Sequence, residues 1–157
     1  MAKFTKKFES AKQEWETPDS LFRMLNTRYH FNFDLAADKG NAKCKRYYSS
    51  IDDALSKTWI GSCWLNPPYG GASSNRLAKW VEKAYTESLS NGCNIAMLIP
   101  ARTNTGWWHR YCMHSKEILF IEGRPKFGGA KYGLPQPLVI VYFSGHNEIP
   151  AIGTLKV

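Results

Sequence analysis

The chain has 157 residues, the length of one ordinary domain with room for a substantial core. Its 43% hydrophobic content, with 6 Trp and 8 Tyr, argues against a disordered chain, and no apolar run approaches the roughly 18–20 residues that span a bilayer. Lysine and arginine (21) outnumber aspartate and glutamate (13), and the resulting net charge of +8 favours polyanionic partners, because binding them releases condensed counterions.

Residues 1–14 are polar and basic and read as a loose arm, with no apolar stretch of the signal-peptide kind after them. The cytoplasm is therefore the expected compartment. Cys44, Cys63, Cys93 and Cys112 form no C-x-x-C pair and read as small buried residues. His30, His109, His114 and His146 show no metal-ligand spacing, so no metal is expected.

Thr17-Pro18 predicts a helix start, with Thr17 as cap, Pro18 in the first turn and Asp19 at the positive end of the dipole. Leu21, Phe22, Met24 and Leu25 supply its apolar face. Phe31-Asn32-Phe33-Asp34-Leu35 alternates as a short strand ending near an acid. Cys63-Trp64-Leu65 reads as a buried strand stopped by Asn66-Pro67-Pro68. Residues 76–89 carry Leu77, Trp80, Val81, Ala84, Tyr85 and Leu89 at helical spacing, ended by Asn91-Gly92. Residues 94–99 read as a fully buried strand, 107–113 as a short helix and 117–121 as a strand. A Gly- and Pro-rich segment over 123–137 leads to the last expected strand, 138–143.

Strands alternating with helices predict an α/β fold with a mainly parallel sheet, closed by a hairpin-like pair of C-terminal strands. In such sheets ligands gather at the carboxyl ends of strands. Asp34, Asn66-Pro67-Pro68-Tyr69 and Pro100-Ala101-Arg102 all sit at such ends. No linker divides the chain, so residues 15–157 read as one domain with no separate target-recognition region.

The turn at 66–69 carries the chemistry. The exocyclic amine of adenine is a poor nucleophile because its lone pair is delocalised into the ring. Two acceptors on its two hydrogens would draw that pair back to nitrogen. Asn66 offers a side-chain carbonyl and Pro67 a backbone carbonyl, on a turn stiffened by consecutive prolines. Tyr69 supplies an aromatic face for an extruded base. The bland alternative is a proline turn that only ends a strand.

The sequence resembles the phage-type DNA N-6-adenine methyltransferases, the Dam family of phage enzymes. The resemblance runs from about residue 14 to 143. It rests on Trp15-Glu16-Thr17-Pro18, Phe33-Asp34-Leu35-Ala36-Ala37, Tyr47-Tyr48, Asn66-Pro67-Pro68-Tyr69, Ile99-Pro100-Ala101-Arg102-Thr103 and Gly123-Arg124-Pro125-Lys126-Phe127. It implies a compact Rossmann-like methyltransferase that uses S-adenosylmethionine to methylate adenine N6 in double-stranded DNA, in a bacterial host cell. It further implies a cofactor site at Trp15, Thr17, Pro18, Asp34, Ala36, Ala37 and Asp53. The glycine-rich loop usual in nucleotide-binding folds is absent from residues 35–38. The acid that grips the cofactor ribose stays open among Asp38, Asp52 and Asp53.

Lys43, Lys45 and Arg46, beside Tyr47 and Tyr48, form a basic-aromatic cluster suited to phosphate contact, or simply a solvated face. Arg102, Arg124 and Lys126 are further candidates for DNA contact. Of Trp107 and Trp108, one is expected buried and the other exposed. Two other activities share these features. A protein-glutamine methyltransferase can polarise a side-chain amide with the same turn, and a non-catalytic DNA-binding module can keep the fold. Cytosine-amine methylation more usually places serine where Asn66 stands.

Overall fold

The computed structural model describes residues 16–69, 76–128 and 130–157. The basic arm expected over 1–14, and Trp15, lie outside the described residues. In chain order the elements are α1 (Asp19–Tyr29), β1 (Phe33–Asp34), β2 (Arg46–Tyr47), a 3-10 turn (Ala54–Ser56), β3 (Ser62–Leu65), α2 (Arg76–Ser90), β4 (Asn94–Pro100), α3 (Gly106–Arg110), a second 3-10 turn (Cys112–His114), β5 (Glu117–Glu122), β6 (Leu138–Phe143) and β7 (Ala151–Lys156).

The strands form one seven-stranded sheet in the order β2-β1-β3-β4-β6-β5-β7. It is mixed, which corrects the expectation of a mainly parallel sheet. Strands β1, β2, β3 and β4 pair parallel, as do β5 and β7, while β6 is antiparallel to both of its neighbours. The reversal has a local cause. Among the described residues no helix lies between β5 and β6 to carry a parallel crossover, so β6 returns antiparallel to β5 and wedges between β5 and β4. Nor is β6 the last strand. Ala151–Lys156 adds an edge strand in register with β5, Ile118 opposite Ile152. Its mostly exposed residues carry no buried alternation from which sequence could signal it.

The core follows the apolar pattern. Strands β4 and β6, covered on both faces, are almost wholly buried, with Met97 opposite Val141 at their centre. Helix α2 buries Leu77, Trp80, Val81 and Ala84, whereas Leu89 is exposed at its end. Helix α1 buries Leu21, Phe22, Leu25 and Tyr29 and leaves Met24 outside. It stops at His30, which takes a left-handed conformation and donates its N–H to the Asn26 carbonyl. Its start differs from expectation. Pro18 is the capping residue and no side chain caps the helix. The Thr17 hydroxyl is engaged elsewhere, with consequences for the site.

Candidate active site

After β1 the chain moves outward to β2, then returns to the other side of β1 as β3. Connections leaving a sheet on opposite sides part at the carboxyl ends of the strands and open a crevice there. Residues following β1 (Leu35 to Asp38, Asn41 and Lys43), β2 (Tyr48, Ser49 and Ser50) and β3 (Asn66, Pro67 and Pro68) line that crevice together. Thr17, Asp34, Ala36, Ala37 and Asp53, all expected on the cofactor side, line the same space. Pro18 and Tyr69 do not.

Asp34 ends β1 almost fully buried. Its carboxylate accepts the backbone N–H groups of Ala36 (3.3 Å) and Lys43 (3.0 Å), closing the loop that follows β1. Burial raises its pKa above the usual carboxylate range, against the pull of those two N–H donors and the Lys43 charge. In a phosphate-binding loop such N–H groups would face the ligand. Here two are taken by the chain's own carboxylate. The loop therefore suits a ligand without phosphates, in keeping with the absence of glycine from residues 35–38.

The three acids left open by sequence separate. Asp52 accepts the Ser49 N–H and hydroxyl, both at 2.7 Å, and these bonds lower its pKa; it does not line the crevice. Asp38 and Asp53 do line it, and their carboxylates have no hydrogen-bond partner among the described residues. Asp53 also adopts a left-handed backbone (φ 50°), uncommon outside glycine, at the start of the 3-10 turn.

Asn66 is half-buried at the crevice wall. Its Nδ2 donates to Thr17 Oγ1 at 3.1 Å, and its Oδ1 accepts from the Tyr69 hydroxyl at 2.8 Å. The Tyr69 hydroxyl also lies 2.9 Å from the Leu98 carbonyl of β4. Burial pushes the Tyr69 phenol far above its ordinary pKa, so it remains a donor. The ring is buried and braces the turn, rather than presenting a face to the crevice.

The basic candidates divide likewise. Lys43 is drawn into the wall, where its ammonium pairs with Asp19 (2.7 Å) and Glu16 (3.4 Å) and its side chain is only 9% exposed. It acts there as a structural cation. Lys45, Arg46, Arg124 and Lys126 are exposed, with the Arg46 guanidinium 4.8 Å over the Phe33 ring, and Arg102 is half-buried. None of these lines the crevice. Trp108 is buried and Trp107 half-buried. Among the described residues no group of His, Cys, Asp and Glu is placed to hold a metal ion.

Sequence reasoning missed Glu16, Arg76 and Trp80 in the lining. Trp80 sits on the apolar stripe of α2, so periodicity assigned it to the core alone. Its indole N–H is buried with no acceptor among the described residues. Glu16, Asp34, Asp38 and Asp53 outweigh Lys43 and Arg76 in the lining, although the whole chain carries +8. The crevice thus has the opposite sign to the molecule around it, and it favours a cationic ligand.

Comparison with known proteins bears on the same residues. The chain is 32% identical over 117 residues to the DNA N-6-adenine-methyltransferase of Escherichia phage T1, covering 73% of this chain and 47% of that protein. It is 32% identical over 116 residues to the DNA N-6-adenine-methyltransferase of Haemophilus phage HP1 (strain HP1c1), covering 72% of this chain and 64% of that protein. The chain thus spans about half to two thirds of the length of these relatives. Residues 4–137 match the family described as DNA N-6-adenine-methyltransferase (Dam), a span that includes every crevice-lining residue. With that match over most of its length, the chain belongs to the DNA N-6-adenine-methyltransferase (Dam) family.

Proposed function

We propose that this chain transfers a methyl group from S-adenosylmethionine to the N6 amine of an adenine extruded from double-stranded DNA, on a Rossmann-like sheet with one reversed strand. The observation that carries this reading is the junction, in one acid-lined crevice, of a loop unsuited to phosphates with the carbonyl-bearing turn at Asn66 and Pro67.

The residues present fit the cofactor. It has no phosphate, and its sulfonium and ammonium suit a crevice in which carboxylates predominate. Asp38 and Asp53 have open carboxylates for its ribose hydroxyls or amine, and Ala36, Leu55, Trp64 and Trp80 provide apolar wall for its adenine. When bound, it supplies an electrophilic methyl group. Asn66 and Pro67 then do the protein's part. Their carbonyls accept the two hydrogens of the target amine, localise its lone pair and hold the nitrogen in line. Asn66 Oδ1 is held in place by the Tyr69 hydroxyl, which donates to it. The prolines keep both carbonyls in place without donating N–H groups that would repel the amine.

DNA contact falls to the exposed cations Lys45, Arg46, Arg124 and Lys126, with Arg102 at the end of β4. Phosphate contacts of this kind give salt-sensitive, sequence-blind affinity, which by itself favours a short or relaxed target sequence. The test is incubation with isotopically labelled cofactor and duplexes of varied sequence, then nucleoside analysis. Label in N6-methyladenine is the expected result. Label confined to N4-methylcytosine, or to a protein glutamine when protein is offered, would overturn the reading.

A further inference from the structure

The Thr17 hydroxyl was expected to cap α1 and does not. It lies almost fully buried (4% exposed) beside the turn after β3, where Oγ1 accepts the Asn66 Nδ2–H. We infer that Thr17 is a positioning residue: it fixes which way the Asn66 amide faces, and so presents a carbonyl rather than an NH2 to the target amine. This rests on the catalytic reading of Asn66.

A primary amide is nearly symmetric in shape but opposite in function at its two ends. Rotated by half a turn, Asn66 would set a donor against the amine's own hydrogens, and the polarisation would be lost. Two contacts with described residues oppose that rotation. Thr17 accepts at the nitrogen end, and Tyr69 donates at the oxygen end. Donation from Nδ2 also shifts amide electron density toward Oδ1, strengthening it as an acceptor.

Thr17 can serve as a fixed point because its segment is held on both sides. The Glu16 carbonyl takes the Gly128 N–H at 3.0 Å, and Lys43 ties the Glu16 and Asp19 carboxylates together. A Cβ on Gly128 would come within 2.9 Å of the Glu16 Cβ, so this close approach needs a glycine. Pro18 stiffens the step into the helix. The hydroxyl's own proton has no acceptor among the described residues, although Thr17 lines the crevice.

The test pairs Thr17→Val, which keeps the shape and removes the acceptor, with Thr17→Ser, which keeps the acceptor. Thr17→Val is expected to lower kcat about tenfold, the rate equivalent of one hydrogen bond, with KM for DNA changed by less than about threefold. Thr17→Ser is expected to recover kcat to within about threefold of the parent. A second readout needs no activity. Thermal unfolding of the unliganded parent, Thr17→Val, Asn66→Ala and the double variant is expected to be non-additive, with the valine costing less once Asn66 is gone. Equal loss of kcat in the serine and valine variants, or additive unfolding shifts, would overturn the inference. A parent protein that folds but transfers no methyl would overturn the catalytic reading instead, and the unfolding cycle would still decide whether Thr17 holds Asn66.

Discussion

The crevice around Asp34 and the base of α2 around Glu87 each bury a carboxylate, and they treat it in opposite ways. Burial alone would raise the pKa of Glu87, but the Lys83 ammonium, the Trp59 N–H (3.1 Å) and the Asn91 amide outweigh it, and the net shift is downward. Among the described residues Asp34 accepts from two backbone N–H groups and forms no ion pair; these bonds and the Lys43 charge do not outweigh burial, so its pKa rises. The first arrangement is complete and joins α2 to the Trp59 segment. The second leaves negative charge poorly neutralised beside an open crevice. A domain that spends its donors fully at one buried acid and sparingly at another marks the second as the place for a ligand.

From that contrast, crevice substitutions should cost activity, and substitutions at the base of α2 should cost stability. The largest expected effect is that of Asn66→Ala. Methyl transfer should fall by about a hundredfold or more, since one of two preorganised acceptors is removed, while cofactor affinity by calorimetry stays near the parent value. Near-parental transfer would remove Asn66 from the catalytic centre. Next comes Glu87→Gln, whose NH2 would face groups that themselves donate. A loss of about 2–3 kcal/mol, or about 4–12 °C in Tm, is expected. Activity per folded molecule should not change. An active-site defect in this variant would erase the contrast between the two regions.

The pH dependence of stability should separate the two acids by sign. Asp34, with its folded pKa raised above 3.8, contributes most when protonated, and that contribution is lost as pH climbs through the folded value. Glu87, with its folded pKa below 4.5, contributes when ionised and loses that contribution as pH falls. Urea unfolding between pH 3 and 7 should therefore show the Asp34→Asn penalty shrinking as pH rises and the Glu87→Gln penalty growing. Parallel trends would mean that the two sites do not differ in kind. Asp34→Asn should also weaken cofactor binding, because an amide places a donor against the Ala36 or Lys43 N–H and loosens the loop.

Smaller effects sharpen the picture. Tyr69→Phe should cost about 1 kcal/mol of stability, because the one hydroxyl proton shared by Asn66 Oδ1 and the buried Leu98 carbonyl is lost. Tyr69→Ala should cost more and further impair transfer through loss of the ring. Equal defects in the two variants would show that the hydroxyl alone matters. Smallest of all, Lys126→Ala should leave Tm unchanged, weaken DNA binding a few-fold and reduce the slope of log affinity against log salt by about 0.9, the share of one phosphate contact. An unchanged salt slope would take Lys126 off the DNA-facing surface.

Much of this was legible locally. The buried run of β4, the apolar stripe of α2 and the strand at residues 138–143 follow from periodicity, which depends only on near neighbours. The Asn66-Pro67-Pro68 turn was legible for the same reason, since proline sets its own backbone angle and ends the strand before it. The location of the crevice could be anticipated too, because α/β sheets bind ligands at their carboxyl ends.

What sequence could not decide was every choice that depends on distant partners. Thr17 meets Asn66 across 49 residues, and that meeting takes the hydroxyl from the helix cap. Lys43 reads as a surface cation until Glu16 and Asp19 enclose it. Tyr69 reads as an open stacking face until its hydroxyl finds the Leu98 carbonyl. Strand direction and the added β7 likewise depend on which edges remain free after the core has packed. Periodicity and turn chemistry state what each residue prefers in its own neighbourhood. Only the closed fold determines which of its several possible hydrogen bonds each polar group makes, because a buried donor or acceptor must find a partner among whatever groups the packing brings within about 3 Å.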